Sequence, residues 1–256
     1  MDERIKSLVA EAIHEDPDIL VLPERWRPIP ELDHIRTAIN DERGSDYIFI
    51  KTLAKNYGVS IISGGIWEKR RQNEQDKFFI TTYYFNESGD EIGRQDKIHL
   101  YSYEPYLFTP GNQLKIFEYK KKKVFFTILI CFDVAFYETP RLSVENGAEI
   151  LISPTLIRED GLENWKTYLK ARALENRVPI VACNPVGDFF GRHFPGGSKA
   201  ISFKRGHESP AVLIVEEAKL NKKEILTSSI NLSYPNRIRK KRLSEKKDSQ
   251  HIEILK

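Results

Sequence analysis

The sequence predicts an α/β protein in which helices cover mixed β-sheets. Short apolar runs of strand length alternate with amphipathic runs of helix length, and residues 86–90 carry a hairpin signal. Hydrophobic residues make up 40% of the 256 residues, which is enough to bury a sizeable core. Chains of roughly 250 residues in this class often fold as one unit.

The first half of the chain contributes two predicted helices and four predicted strands. Apolar residues recur at helical spacing from Ile5 to Ile13, and this helix is expected to stop before Pro17. A second helical pattern runs from Ile48 to Tyr57 and closes at Gly58. The predicted strands of this half cover residues 18–22, 59–63, 77–85 and 91–97, the last two joined by the turn at 86–90.

The second half continues the alternation of strands and helices. Four lysines at 120–123 precede the most continuous apolar strand of the sequence. The predicted strands are 124–130, 149–152, 178–183, 212–215 and 225–232, and the predicted helices are 135–147 and 162–176. Past Tyr234 the pattern fades, so we predict a single domain over residues 1–234 and a basic tail over residues 235–256.

Composition and termini exclude several classes of protein. The net charge of +3 is unevenly placed, because the tail holds eight basic and three acidic residues and leaves the body slightly acidic. Two distant cysteines do not make a disulfide scaffold. The charged N-terminus is not a secretory signal, and no apolar run approaches the ~20 residues of a membrane span. These observations predict a soluble cytoplasmic protein.

Three reactive side chains follow predicted strands, where α/β folds place ligand chemistry. They are Glu24, Lys97 and Cys131. Each alone has an ordinary explanation, as a solvated loop residue, a strand end or a small buried hydrophobe. Together they supply a nucleophile, a base and a positive charge for an oxyanion. The six histidines show no metal-ligand spacing, so neither a metal nor another cofactor is predicted.

The sequence around these residues resembles the carbon–nitrogen hydrolase (nitrilase) superfamily over nearly its full length. The matching segments, in family order, are Leu22-Pro23-Glu24, Asp96 to Leu100, Glu104 before Phe108-Thr109-Pro110-Gly111, Ile130 to Asp133 with Arg141, Gly147 to Pro154, Ala171 to Arg177, and Gly196-Gly197-Ser198. Short motifs are weak singly, but this many in the right order identify the chain as a member.

The resemblance implies a four-layer αββα sandwich of two mixed sheets and a mechanism. Cys131 would attack an amide or nitrile carbon, with Glu24 as general base, Lys97 at the oxyanion and Glu104 orienting the substrate. The backbone N–H of Phe132 would be the second oxyanion donor. The charge of Lys97 is expected to favour the Cys131 thiolate and the ionised Glu24. Family habit also implies a homodimer or higher homo-oligomer.

The sequence departs from the family pattern at its start and specifies the substrate poorly. Members usually open with a strand before the first helix, and this strand is expected to be missing here. Asp133 favours amidase branches, so we expect a small linear amide as substrate. Arg158, Arg192 and His193 lie on loops expected near the site and are candidates for binding a substrate carboxylate, although solvated loop charge is the more ordinary explanation.

Other functions stay open at this point. Nitrile hydrolysis, N-carbamoyl hydrolysis and acyl transfer would use the same three residues. A non-catalytic member that binds a metabolite is a different class of function. Binding of nucleic acid through the basic tail is disfavoured, because no aromatic residues interleave the cationic ones.

Overall fold

A computed structural model gives the structure of the chain, and it describes residues 2–27, 29 and 36–247. Helix α1 covers Asp2–Ile13 and helix α2 covers Ser45–Tyr57. Between and after them lie the strands β1 (Ile19–Val21), β2 (Asn40–Asp41), β3 (Ser60–Gln72), β4 (Gln75–Phe85) and β5 (Glu91–Asp96). Helix α2 ends because Gly58 takes a left-handed conformation, with φ of 63°, and its N–H donates to the carbonyl of Ala54.

Strands β1 to β5 form the first sheet, in the order β1-β3-β4-β5, with β2 pairing to another part of β3. Strands β1 and β2 run parallel to β3, while β3, β4 and β5 are antiparallel. The turn between β4 and β5 forms as predicted, since Asn86 Oδ1 accepts hydrogen bonds from the N–H groups of Ser88 and Asp90. The sheet is therefore mixed.

The second half of the chain builds the second mixed sheet. Its strands are β6 (Ile116–Tyr119), β7 (Val124–Ile128), β8 (Ile150–Pro154), β9 (Ile180–Cys183), β12 (Lys199–Glu208) and β13 (Ala211–Glu217), in the order β13-β12-β9-β8-β7-β6. Strands β7, β8 and β9 are parallel and the outer pairs are antiparallel. The strands β10 (Val186–Phe189) and β11 (Arg192–Pro195) form a separate hairpin.

Three apolar cores define four layers, because side chains along each strand alternate between the two faces of its sheet. Ile61 packs with α1 and α2, whereas the adjacent Ile62 packs between the sheets. In the second sheet, Ile152 faces the inter-sheet core and Leu151 faces the opposite core. That core holds side chains of α3 (Glu138–Glu145), α4 (Leu162–Asn176) and α5 (Ser233–Ser244). The predicted αββα sandwich is confirmed.

Three predicted elements differ from the structure, and the first is the strand expected at 59–63, which continues to Gln72 as β3. The helix expected at 135–147 begins only at Glu138, because Cys131–Ala135 forms a short 3₁₀ turn before it. The strand expected at 225–232 is wrong: in the part of the chain that the structure describes, this stretch joins no sheet. It alternates apolar and polar residues, but alternation supplies only the strand period and not a hydrogen-bonding partner.

Strand β1, which leads to Glu24, lies at the end of its sheet. Among the described residues it pairs with β3 alone, and helix α1 precedes it in the chain. Its three apolar residues, Ile19, Leu20 and Val21, are each half-buried. Strand β1 therefore has a paired neighbour on one side only within the described part of the chain.

Helix α5 carries the chain past the predicted domain boundary between residues 234 and 235. Tyr234 and Ile238 are buried in the same core as α4, and the Asn236 side chain donates to the Glu149 carboxylate. The exposed face of the helix carries Arg237 and Lys240. The rest of the predicted tail, residues 248–256, lies outside the described residues. None of the helices in the described ranges has the length and apolar character needed to cross a membrane.

Candidate active site

Glu24 is positioned by a bulge in β3. The pairing of β3 with β4 shifts register between Ile62 and Gly65, and Gly65 N–H donates to the Glu24 carbonyl at 2.9 Å. A Cβ on Gly65 would lie 2.6 Å from that carbonyl oxygen, and one on Gly64 would lie 2.1 Å from the Pro23 carbonyl oxygen. The glycine pair therefore lets the Pro23-Glu24 backbone lie directly against β3.

Lys97 joins the two predicted glutamates. It directly follows β5, and its Nζ lies 2.8 Å from Glu24 Oε1 and 2.8 Å from Glu104 Oε1. All three side chains are buried. Glu104 begins a 3₁₀ turn, and its second oxygen accepts a hydrogen bond from Tyr101 N–H at 2.7 Å. The structure thus brings Glu24, Lys97 and Glu104 together in one ion cluster.

Cys131 sits at a sharp turn after β7. Its φ is 49°, a left-handed conformation that few residues other than glycine adopt, and the 3₁₀ turn Cys131–Ala135 begins with it. The Sγ lies 4.0 Å from the carbonyl oxygen of Leu156. Cys131 and the ion cluster lie within electrostatic range of one another, since the charges of Glu24, Lys97 and Glu104 all act on the pKa of the Cys131 thiol. A shared catalytic role for Glu24, Lys97 and Cys131 stays a prediction.

Two residues whose structural role was not predicted hold this turn in place. Asp133 accepts hydrogen bonds from Ile130 N–H at 2.9 Å and from His99 N–H at 2.8 Å, so it ties the turn to the segment after Lys97. From α4, Arg172 donates to the carbonyls of Val134 at 3.0 Å and Ala135 at 2.8 Å. Both residues lie in the family-like motifs, which gave their positions but not these contacts.

Burial sets the protonation preferences of the site. It would lower the pKa of Lys97, but the charges of Glu104 and Glu24 outweigh it and the pKa lies well above the usual value. Burial and the Glu24 charge raise the pKa of Cys131 well above its usual value, against the opposing effect of Lys97. The charge of Lys97 does favour the thiolate, as expected, but burial and the charge of Glu24 outweigh it, so the neutral thiol is favoured.

Two backbone groups lie at the cysteine turn, the Phe132 N–H within it and the Leu156 carbonyl beside Cys131 Sγ. The N–H of Phe132 belongs to the first turn of the 3₁₀ segment, whose leading N–H groups have no partner inside that turn. Asn184 fixes the next residue, Ile157, since it accepts from Ile157 N–H at 2.7 Å and donates to Ile157 O at 3.1 Å. Phe132 as oxyanion donor stays a prediction.

The three residues predicted to bind a substrate carboxylate are engaged or exposed instead. Arg158 is half-buried and pairs with Asp160 at 3.0 Å. His193 is exposed on β11, with Asp188 at 2.9 Å and Asn221 at 2.7 Å from its ring nitrogens. Arg192 is exposed beside it. These contacts agree with the more ordinary explanation of the three residues, which is that they are solvated charges on loops.

Comparisons with known proteins show which family the chain resembles. The carbon-nitrogen hydrolase family model matches residues 3–240. A protein of Staphylococcus lugdunensis called hydrolase in agr operon is 31% identical over 89% of this chain and 93% of its own length. The 2-oxoglutaramate amidase of Bacillus subtilis is 30% identical over 72% of this chain and 70% of its own.

The solved structures agree in fold. Nit3 of Saccharomyces cerevisiae, a member of branch 10 of the nitrilase superfamily, superposes with a TM-score of 0.69 at 26% identity, covering 85% of this chain and 83% of its own. The family match spans every element from α1 through most of α5, and with it all residues of the ion cluster and the cysteine turn. The chain belongs to the carbon–nitrogen hydrolase family of the nitrilase superfamily.

Proposed function

We propose that this carbon–nitrogen hydrolase cleaves small linear amides through Cys131. The observation that carries the proposal is the buried cluster in which Lys97 bridges Glu24 and Glu104 beside the cysteine turn. Two similar proteins are named for amide hydrolysis, the 2-oxoglutaramate amidase of Bacillus subtilis and omega-amidase NIT3 of Saccharomyces cerevisiae. Both names support an amide over a nitrile as substrate.

The first half-reaction forms a thioester. Glu24 takes the proton of the Cys131 thiol as Sγ adds to the amide carbon, and the oxygen gains negative charge opposite Lys97 and the Phe132 N–H. The C–N bond then breaks, Glu24 returns its proton to the nitrogen and ammonia leaves. The raised pKa of the thiol supports this order, because proton removal accompanies attack rather than preceding it.

The second half-reaction releases the acid. Water attacks the thioester carbon while Glu24 takes one of its protons, and the C–S bond breaks with return of a proton to Cys131 Sγ. Glu104 pairs with Lys97, as Glu24 does, and so holds the Lys97 ammonium group in position. Burial raises the pKa of the Glu104 carboxyl. The two half-reactions together consume the amide and one water molecule, and no group is oxidised or reduced.

The two cysteines offer a matched test. With a panel of linear amides, N-carbamoyl compounds and nitriles, we expect ammonia release from amides, a loss of at least about 1,000-fold in Cys131→Ala, and near-normal rates in Cys183→Ala. Cys183 is the suitable control, because burial raises its pKa to about 12 and its Sγ accepts from the Ser198 hydroxyl at 3.9 Å.

Mass spectrometry of the quenched reaction adds a direct readout. A Cys131 peptide heavier by the acyl group is expected with the wild-type protein and a good substrate. Ammonia release that survives in Cys131→Ala would overturn the nucleophile, and hydrolysis of nitriles alone would overturn the amide specificity.

A further inference from the structure

A buried arginine joins two carboxylates of the first sheet. Arg70, on β3, is 4% exposed, and its Nε donates to Glu68 Oε1 at 2.6 Å. Its two terminal nitrogens donate to the two oxygens of Asp96 at 2.6 and 2.8 Å, the bidentate contact in which a guanidinium holds a carboxylate most firmly. The Thr81 hydroxyl of β4 donates to the same carboxylate at 2.7 Å. Asp96 is therefore held from both β3 and β4.

These contacts lie on the side of the sheet away from the cysteine. Side chains along a strand alternate between the two faces, and Ile66, on the same face of β3 as Arg70, packs with α1 and α2. Trp67, the next residue along β3, packs on the other face, in the same core as Cys131. Any effect of Arg70 on the cysteine site must therefore pass through other residues.

Asp96 and Lys97 connect the two sides of the sheet. They are consecutive, and their side chains point in opposite directions, Asp96 toward Arg70 and Lys97 toward the ion cluster. The backbone of Lys97 is still paired with β4, because its N–H donates to Ile80 O at 2.9 Å, and its carbonyl accepts from Gly111 N–H at 2.7 Å. The place where the Lys97 side chain leaves the sheet thus depends on how the end of β5 is held.

Arg70 is the cation that both Glu68 and Asp96 share. Glu68 is fully buried and the Asp96 side chain is 20% exposed. Burial would raise the pKa of Asp96, but the hydrogen bonds and charge of Arg70 outweigh it, so the pKa lies below its usual value. Without Arg70, the Asp96 carboxylate would lose two hydrogen bonds and face the Glu68 carboxylate, which favours movement of the end of β5 toward water.

We propose that Arg70 is a positioning residue for Lys97, acting from the helix side of the first sheet through Asp96. The inference rests on the proposed function, in which Lys97 stabilises the oxyanion. Loss of the Arg70–Asp96 contact should displace the Lys97 ammonium from Cys131. A displaced ammonium would stabilise both the oxyanion and the Cys131 thiolate less.

Alkylation of Cys131 reports the position of Lys97 without any turnover. In a Cys183→Ala background, Arg70→Met should slow alkylation by iodoacetamide at about pH 8 by about 10-fold, because Lys97 lowers the thiol pKa and would then act from farther away. Arg70→Lys keeps a cation beside the two carboxylates without the bidentate contact and should slow alkylation less. Arg70→Lys decides the test if circular dichroism shows that Arg70→Met is unfolded.

Steady-state kinetics test the route through Asp96. With a linear amide, Arg70→Met should lower kcat on the order of 100-fold with little change in KM, since the proposed oxyanion contact forms in the transition state. If the effect passes through Asp96, the double variant Arg70→Met/Asp96→Asn should lose no more than the worse single variant. Losses that multiply in the double variant would overturn this route.

Arg94→Met is the matched control. Arg94 lies on β5, pairs with Glu42 and is 3.6 Å from Glu68, so this variant removes a positive charge from the same set of contacts and leaves the Arg70–Asp96 contact intact. Its alkylation rate and kcat should stay near those of the wild type. An effect equal to that of Arg70→Met would overturn the positioning role.

The two readouts separate this inference from the proposed reaction. Slower alkylation in the Arg70 variants of a protein that hydrolyses no amide would remove the proposed reaction and keep the positioning role. An unchanged alkylation rate in the folded Arg70 variants would remove the positioning role, even in a protein that hydrolyses amides.

Discussion

Opposite charges act on the Cys131 thiol. The carboxylate of Glu24 raises its pKa and the ammonium of Lys97 lowers it, while burial adds to the effect of Glu24. An anion beside a thiol favours the neutral form, so removing the anion must lower the thiol pKa. A general base, in contrast, raises the rate of the reaction that it serves. As the proposed base, Glu24 is therefore expected to have opposite effects on the thiolate population and on turnover.

Glu24→Gln should separate these effects. We expect turnover to fall by at least about 100-fold, since the general base is lost. At the same time the pH profile of Cys131 alkylation by iodoacetamide should move to lower pH, because Lys97 then acts on the thiol with less opposition. Both measurements are made in a Cys183→Ala background so that one thiol reports.

Glu163→Gln serves as the control for this change, because Glu163 is 85% exposed and pairs with Lys166. Neither turnover nor the alkylation profile should move in it. A Glu24→Gln profile that moves to higher pH would contradict the electrostatic balance described for the site.

The types and order of residues in the sequence were enough to name most of the candidate site residues. They were not enough to predict the contacts that these residues make. Glu24, Lys97, Cys131 and Glu104 could be named because each sits in a family-like segment at a strand end. The contacts of Arg172 could not, because the hydrogen bonds that it donates to the Val134 and Ala135 carbonyls are visible only in the structure. The same holds for Arg158, whose partner Asp160 is visible only in the structure.

At the scale of elements, the bulge in β3 controls where Glu24 lies. The nearest atom to a Cβ on Gly65 would be backbone, at 2.6 Å, and backbone cannot rotate away as a flexible side chain does. Gly65→Ala should therefore push the Glu24 segment off β3. A displacement of about 1 Å costs on the order of 100-fold in rate, so kcat/KM for an amide should fall by about that factor.

Gly161→Ala is the control for the glycine change, because the nearest atom to its Cβ would be Ile157 Cγ2 at 3.5 Å, an ordinary contact. Circular dichroism should show intact secondary structure in both variants. Unchanged kcat/KM in Gly65→Ala would mean that the close approach to β3 does not position Glu24.

Elements with a complete local signal were the ones that the sequence predicted well. Helix α4 was predicted at 162–176 and forms at Leu162–Asn176. Strand β12 was missed although Ile201 and Phe203 are buried at alternate positions, and its stability comes from pairing with both β9 and β13. Residues 225–232 are the reverse case, because they alternate like a strand but pair with no other strand in the described part of the chain. Pairing partners are distant in sequence and leave no local trace.

At the scale of the molecule, helix α5 joins the basic segment to the core of the sandwich. Ile238 is 3% exposed and packs in the core that also holds Trp165, Leu169 and Tyr234. If α5 belongs to the folding unit, Ile238→Ala should lower the free energy of unfolding by about 2–5 kcal/mol. Urea denaturation measures this change as a lower midpoint at constant slope.

Lys240→Ala, on the exposed face of the same helix, should change the unfolding free energy by no more than about 0.5 kcal/mol. Equal stability of the Ile238→Ala variant and the wild type would instead support the predicted domain end at residue 234. Assembly into a homodimer or higher homo-oligomer stays a prediction, which light scattering of the eluted protein would measure.

The groups that we propose to react are divided between the two sheets. Glu24 and Lys97 follow strands of the first sheet, β1 and β5, whereas Cys131 follows β7 of the second. The spacing between nucleophile and base is thus the spacing between two layers, set by the side chains packed between them. Enzyme activity is therefore expected to depend on the distance between the two sheets. Heating should abolish it while both sheets are still folded, as soon as the layers begin to part.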